Sequence, residues 1–175
     1  EPALPTMLGM LVGSSETAEA LIAAYRGSRG ADFPPVDLFV AAMTDRMFRQ
    51  HSLHLAEAQS KQQPETWMYL FEWEGVGMDG TIGACHALEL PFVFGTLDSE
   101  LGQLAGSGAE AAALSTAMQD AWSAFARTGD PSSAALAWPR YDTSRKATAV
   151  FGRKLELRDA PLEAERQAWV ALGLA

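Results

Sequence analysis

The chain has 175 residues, 48% hydrophobic and 20% charged, enough apolar material to bury a sizeable core and too much for a wholly disordered segment. Its 13 basic and 22 acidic residues give a formal net charge of −9, so most of the surface repels a phosphate backbone and no nucleic acid partner is expected. No apolar run approaches the ~20 residues of a membrane-spanning helix, so no membrane partner is expected, and the single cysteine, Cys85, excludes an intrachain disulfide while leaving the redox compartment open.

In chain order, Ser15 or Thr17 caps a first helix through Ala18, Leu21, Ile22 and Tyr25, which Gly27 and Gly30 end. Asp32-Phe33-Pro34-Pro35 opens a second helix, where the spacing of Val36, Phe39, Val40, Met43, Met47 and Phe48 places them on one face. That helix runs to about Gln59, and Pro64 closes the following turn. Trp67-Met68-Tyr69-Leu70-Phe71-Glu72-Trp73 reads as a buried strand, followed by a Gly-rich loop from Gly75 to Gly83. A long helix fits Gly108 to Arg127, with Leu114, Met118, Ala121, Trp122 and Phe125 on its apolar face and Gly129-Asp130-Pro131 as its stop. Residues 148–151 and 154–157 flank Gly152-Arg153 as a short hairpin, and Pro161 starts a last helix through Trp169. No internal repeat or low-complexity linker interrupts the chain, so residues 1–175 read as a helix-rich α/β piece of one domain.

The segment with most chemical content is Gly83-Ala84-Cys85-His86-Ala87-Leu88-Glu89-Leu90-Pro91-Phe92-Val93-Phe94-Gly95. It sets a histidine on a small-residue loop beyond a strand, followed by an apolar stretch with one carboxylate. Its wording resembles the histidine loop of type-B carboxylesterases, the α/β-hydrolase family that includes bacterial para-nitrobenzyl esterases and the cholinesterases. The resemblance covers nearly the whole chain. It takes in Met43-Thr44-Asp45-Arg46-Met47-Phe48-Arg49, Trp67-Met68-Tyr69-Leu70-Phe71, Trp122-Ser123-Ala124-Phe125-Ala126-Arg127-Thr128-Gly129-Asp130-Pro131 and Trp138-Pro139-Arg140-Tyr141. The string from His86 to Gly95 is its specific part. One departure stands out: relatives commonly have a proline after the Phe-Arg of the second helix, where this chain has Gln50-His51-Ser52.

The resemblance implies the fold class, the C-terminal part of an α/β-hydrolase fold, helix-rich with few strands. It also implies a role for His86 as general base and acid, taking the proton of a serine hydroxyl and returning it to the leaving alcohol. Hydrolases of this fold run Ser, then Asp or Glu, then His along the chain, and here the first two are missing. No Gly-x-Ser-x-Gly occurs: Gly13-Ser14-Ser15 and Gly106-Ser107-Gly108 lack the second glycine at the required offset. A Gly-rich oxyanion loop is absent too, and in the family the acid lies upstream of the region matched here. The expected partners are therefore a small-molecule ester substrate and an N-terminal esterase portion carrying the Ser nucleophile and the acid, with no cofactor. The start at Glu1 lacks the basic and apolar regions of a signal peptide, and any targeting segment is expected to be lost with that portion. A non-catalytic hydrolase-like fragment, acting by association with another polypeptide, is the alternative.

Other residues are weighed on the same terms. By residue type alone His86 is a loop histidine with a structural hydrogen bond, and the surrounding string turns it into a catalytic candidate. The resemblance places Glu89 in a buried polar network behind the active site; a solvated glutamate at a helix start is the plainer reading. Phe92 and Phe94 are candidates for lining a substrate pocket, although packing accounts for most apolar residues beside a loop. His51 and His54 share one side of a helix with Glu57 a turn further, but a zinc site needs at least three well-placed ligands, so no metal is expected. Cys85 reads as a small packed residue rather than a nucleophile.

Overall fold

The computed structural model describes residues 3–174, so the reading made at Glu1 lies outside the described residues. The chain divides into two compact units: one takes it up to Ala58 and again from Pro161, and the other is Gln59–Ala160.

The first unit is helical. Pro5 in the first turn and Gly13 in the left-handed region bracket α1 (Leu4–Val12), which the sequence reading did not include. α2 (Ser15–Arg29) begins one residue earlier than expected. Ser14 is the cap, its hydroxyl accepting the Thr17 N–H at 3.1 Å, and Gly27 lies inside the helix while Gly30 ends it. α3 (Pro35–Thr44) follows, then a single π turn over Asp45–Arg49, then α4 (Gln50–Gln62), whose last residues belong to the second unit. The Gln50 N–H closes the π turn on Asp45 O, a bond that a proline there has no N–H to make.

The apolar face expected for the second helix is corrected in part by the structure: Phe39 and Met43 are half-buried, and Phe39 packs against the core. Val36 is 72% exposed and Val40 56%, and Met47 and Phe48 are also exposed, whereas Leu38, Ala42, Asp45, Arg49 and Gln50 turn inward. Apolar residues surround this helix on most sides, so periodicity could not say which stripe is covered. Leu38 and Ala42 pack with Leu8, Leu21, Tyr25 and Trp169 in the core of this unit. Trp169 comes from α8 (Glu163–Ala171), which starts after Leu162, a left-handed residue with φ 58°, rather than at Pro161.

Inside this helical core lies a charged network. The Tyr25 hydroxyl donates to Asp45 Oδ2, and Trp169 Nε1 donates to the Tyr25 hydroxyl at 2.9 Å. Arg49 pairs with Asp45 at 3.1 Å and donates to the carbonyls of Pro161 and Leu162 at 2.7 and 3.0 Å. Arg29 grips the fully buried Glu165 with two hydrogen bonds of 2.6 and 2.9 Å, the bidentate geometry to which a guanidinium is suited. Burial pushes the Asp45 carboxyl above its ordinary range against the opposing pull of Arg49 and Tyr25, and burial followed by the Asp45 charge pushes the Tyr25 phenol up.

The second unit holds a three-stranded sheet in the order β1 (Met68–Phe71), β2 (Ala147–Phe151), β3 (Leu155–Asp159). β1 and β2 are parallel, with Met68 opposite Thr148 and Phe71 opposite Phe151, and β2 and β3 form the expected antiparallel hairpin. β2 is central and buried at every position. β1 is shorter than the sequence suggested, with Trp67 and Trp73 outside it, and it is an edge strand with Tyr69 37% exposed and otherwise covered, rather than a fully buried one. Its parallel neighbour comes from later in the chain, and among the described residues its other edge has no strand partner. α7 (Ala109–Thr128) covers the sheet through Leu114, Met118 and Ala121, which pack with Phe92, Trp138, Ala149 and Phe151; Trp122 is half-buried and Phe125 exposed. Gly129, left-handed at φ 78°, ends the helix with its N–H on Phe125 O.

Candidate active site

The chain leaves β1 through Trp73, whose indole N–H donates to Ala105 O at 2.8 Å at the end of α6 (Glu100–Ala105). Gly75 is buried at the start of the Gly-rich loop. A Cβ there would stand 2.5 Å from Leu104 O, 2.8 Å from Ile82 Cγ2 and 3.0 Å from Leu88 Cδ2, so close backbone approach requires a residue without a side chain. Its N–H donates to Gly83 O at 3.0 Å, and the N–H groups of Val76 and Gly77 both reach Leu104 O, at 2.8 and 3.2 Å. The loop is thereby pinned at both of its ends before the chain reaches His86.

His86 lies on a turn and is exposed, between half-buried Cys85, which packs at the edge of the core, and Leu88, which is fully buried. Downstream, α5 (Leu90–Val93) is a single helical turn with Pro91 in its first positions. Phe92 anchors it: its ring is fully buried, 5.5 Å from the Phe71 ring and 5.3 Å from the Trp73 ring, and its carbonyl accepts from Ser115 Oγ at 2.8 Å. The histidine thus sits between two segments fixed to the core while its own side chain is left at the surface.

The structure brings Glu89 and Phe94 together but not with Phe92. Glu89 is half-buried and lines a cavity of about 560 Å3 with Tyr69, Leu90, Val93, Phe94, Gln119 and Trp122. Phe94 is 70% exposed. Burial, with the Glu89 charge adding to it, raises the Tyr69 phenol above its ordinary pKa. Tyr69 and Gln119 were not singled out from the sequence. Tyr69 was legible only as a member of the strand, while Gln119 had no signal beyond its place one turn after Ser115, to whose carbonyl and hydroxyl it donates at 3.2 and 3.0 Å.

Of the other candidates, His51 and His54 are both exposed on α4. Among the described residues, no three His, Cys, Asp or Glu side chains cluster in a way that could hold a metal ion, and no helix is long and apolar enough to cross a membrane. Cys85 is a half-buried free thiol.

Residues 6–169 match the carboxylesterase family. The para-nitrobenzyl esterase of Bacillus subtilis strain 168 is 36% identical over 163 residues, covering 89% of this chain and 33% of that protein. The phenmedipham hydrolase of Pseudarthrobacter oxydans is 29% identical over 133 residues, covering 74% of this chain and 27% of that protein. Among solved structures, the Geobacillus stearothermophilus carboxylesterase superposes with a TM-score of 0.74 at 37% identity, over 86% of this chain and 31% of the other. A thermophilic para-nitrobenzyl esterase superposes with a TM-score of 0.73 at 32% identity, over 96% and 33% respectively. The chain therefore spans about a third of the length of the relatives it matches.

Proposed function

Because this chain belongs to the carboxylesterase family and carries part of an α/β-hydrolase fold, we propose that it is the histidine-bearing C-terminal portion of one hydrolase domain that hydrolyses carboxylic esters. In this reading His86 is general base and then general acid in an acyl-enzyme mechanism. The Ser nucleophile and the carboxylate that orients the imidazole come from the N-terminal esterase portion, and the substrate is a small ester. A proton shuttle must present one ring nitrogen to the serine oxygen within hydrogen-bond reach and the other to the orienting acid. The supporting observation is the placement of His86: its side chain is exposed on a turn between core-anchored Leu88 and Phe92 on one side and the pinned loop of Gly75 on the other. Glu89, half-buried beside Tyr69, belongs on this reading to the polar layer behind the imidazole, and Phe94 to the wall that meets the substrate. Phe92 acts from the core, holding α5 in place.

The alternative, a hydrolase-like fragment that works by association alone, is favoured by a different observation: among the described residues the outer edge of β1 pairs with no strand, and Tyr69 and Phe94 are exposed near it. Hydrolysis of para-nitrophenyl acetate separates the two readings. This chain alone is expected to be inactive, and the same chain joined to or mixed with the serine-bearing portion is expected to turn over ester. His86→Ala should lower kcat by at least about 10³-fold while leaving the thermal midpoint unchanged. Activity that survives this substitution would refute His86 as the base, and inactivity of the wild-type assembly would favour the association reading.

A further inference from the structure

We propose that Ala87 is the positioning residue of this site: its left-handed backbone turns the chain between His86 and Leu88, so that the imidazole stays at the surface while the neighbouring side chain is locked into the core. The inference rests on the reading of His86 as the general base.

Ala87 has φ +69°, a region that glycine enters freely and that asparagine and aspartate tolerate. Alanine enters it with strain, and a β-branched residue scarcely at all. The residues on either side explain how the strain is held. Leu88 is fully buried and close-packed beneath Gly75, and Cys85 packs against the same core. The Leu88 N–H donates to Cys85 O at 3.2 Å and the Leu90 N–H to Ala87 O at 3.1 Å, bracing the turn across Ala87 from both directions. A strained conformation persists when its surroundings over-determine it, and such residues gather where a side chain has to be aimed. With a right-handed residue at 87, Leu88 and His86 could not both keep these positions. Either the leucine would leave the core, or the imidazole would swing away from the place where its partners meet it. Misplacement of a catalytic group by about an ångström costs on the order of 100-fold in rate.

The test uses the active assembly, this chain with the serine-bearing portion, and para-nitrophenyl acetate. Ala87→Asn and Ala87→Val are compared because the two side chains are similar in size but opposite in their tolerance of positive φ, and Ala87→Gly is the rescue control. The Gly and Asn variants are expected to keep kcat within about threefold, while Val loses about 100-fold in kcat with KM nearly unchanged. Circular dichroism and the thermal midpoint monitor folding of each variant. Equal losses in Asn and Val would overturn the inference, since side-chain volume rather than backbone would then govern, and so would full activity in Val. Should Val fail to fold, Gly and Asn decide the matter: losses beyond about tenfold in both refute it. His86→Ala runs alongside. If that variant keeps its activity, the base assignment fails on its own account, whatever the Ala87 series gives.

Discussion

The helical unit and the sheet unit are held together by different chemistry. In the first, α2, the π turn and α8 meet through ionic and polar bonds set among apolar side chains: Tyr25, Asp45, Arg49, Glu165 and Trp169 are all less than a tenth exposed. In the second, the centre is a run of ring contacts. Trp138 and Trp122 pack on Phe151, and Phe71 and Trp73 on Phe92, at centroid separations from 5.3 to 5.7 Å. A buried charge is tolerated when every partner is present and becomes costly when one is removed, whereas an aromatic core loses in proportion to the volume removed. The histidine turn grows from the unit whose interior is rings. Fixed rings leave a loop little freedom to drift, and α5 is anchored directly on them.

The comparison can be broken most sharply by removing one member from each interior. Arg49→Met leaves the Asp45 carboxylate buried without its charge partner and is expected to cost 3–5 kcal/mol, roughly as for other broken buried pairs. Phe92→Ala is expected to cost about the same through the cavity it opens. The two should part company on rescue. Adding Asp45→Asn to Arg49→Met removes the orphaned charge, keeps an acceptor for the Tyr25 hydroxyl, and should recover most of the loss in urea midpoint. Restoring a packed ring demands the ring itself, so no polar second substitution should rescue Phe92→Ala. If both losses prove equally resistant, the distinction between the interiors collapses.

A smaller effect distinguishes the units by pH. The folded-state pKa of Asp45 lies above its unfolded value, chiefly through burial, so the folded protein binds the proton more tightly. Its contribution to stability therefore grows as pH falls through the folded pKa and levels off below the unfolded one. In the sheet unit Asp130 and Asp142 are held low by hydrogen bonds from Ser132 and from Ser144 with Arg145. Their contribution has the opposite sign: it is present above the unfolded pKa and lost as pH falls through the folded one. Urea midpoints measured from neutral to acid pH should therefore show Asp45→Asn steepening the acid loss and Asp142→Asn flattening it. Matching slopes in the two variants would contradict this assignment.

The smallest effect is expected at the surface. Arg153 donates to Glu110 at 2.9 Å with both side chains well exposed, so Arg153→Ala should change the unfolding free energy by less than ~1 kcal/mol in a denaturant titration.

How far the sequence could be read varied with how local the cause was. The long helix was read as Gly108 to Arg127 and runs Ala109–Thr128, because its apolar stripe and left-handed Gly129 are written in neighbouring residues. The β2–β3 hairpin followed from the turn residues at Gly152 and Arg153, although β3 begins a residue later than expected. α1 was missed: nine residues with Gly9 in the middle form a marginal helix alone, and Leu4 and Leu8 commit it by packing in the core. For the second helix the sequence found half-buried Phe39 and Met43 but not which neighbouring stripe is covered, since Val36 and Val40 are as apolar as Leu38 and Ala42. At the candidate site, order along the chain was enough to single out His86, Glu89, Phe92 and Phe94. It could not separate the fully buried Phe92 from the exposed Phe94, nor set Glu89 beside Tyr69 and Gln119.

By itself, the sequence determined the family likeness: the string from His86 to Gly95 and the absence of Gly-x-Ser-x-Gly are properties of residue identity and spacing. Folding in three dimensions decided what no spacing holds. The left-handed backbone at Ala87 and the π turn closed by the Gln50 N–H are conformations that residue spacing does not encode, and the meeting of Tyr25 with Asp45 and Trp169 requires segments distant in the chain to bear on one point. Local preference disfavours a left-handed alanine or a buried carboxylate, and each persists because its surroundings outweigh it: the packing of Leu88 against Gly75 beside Ala87, and the Tyr25 hydroxyl and Arg49 guanidinium on Asp45.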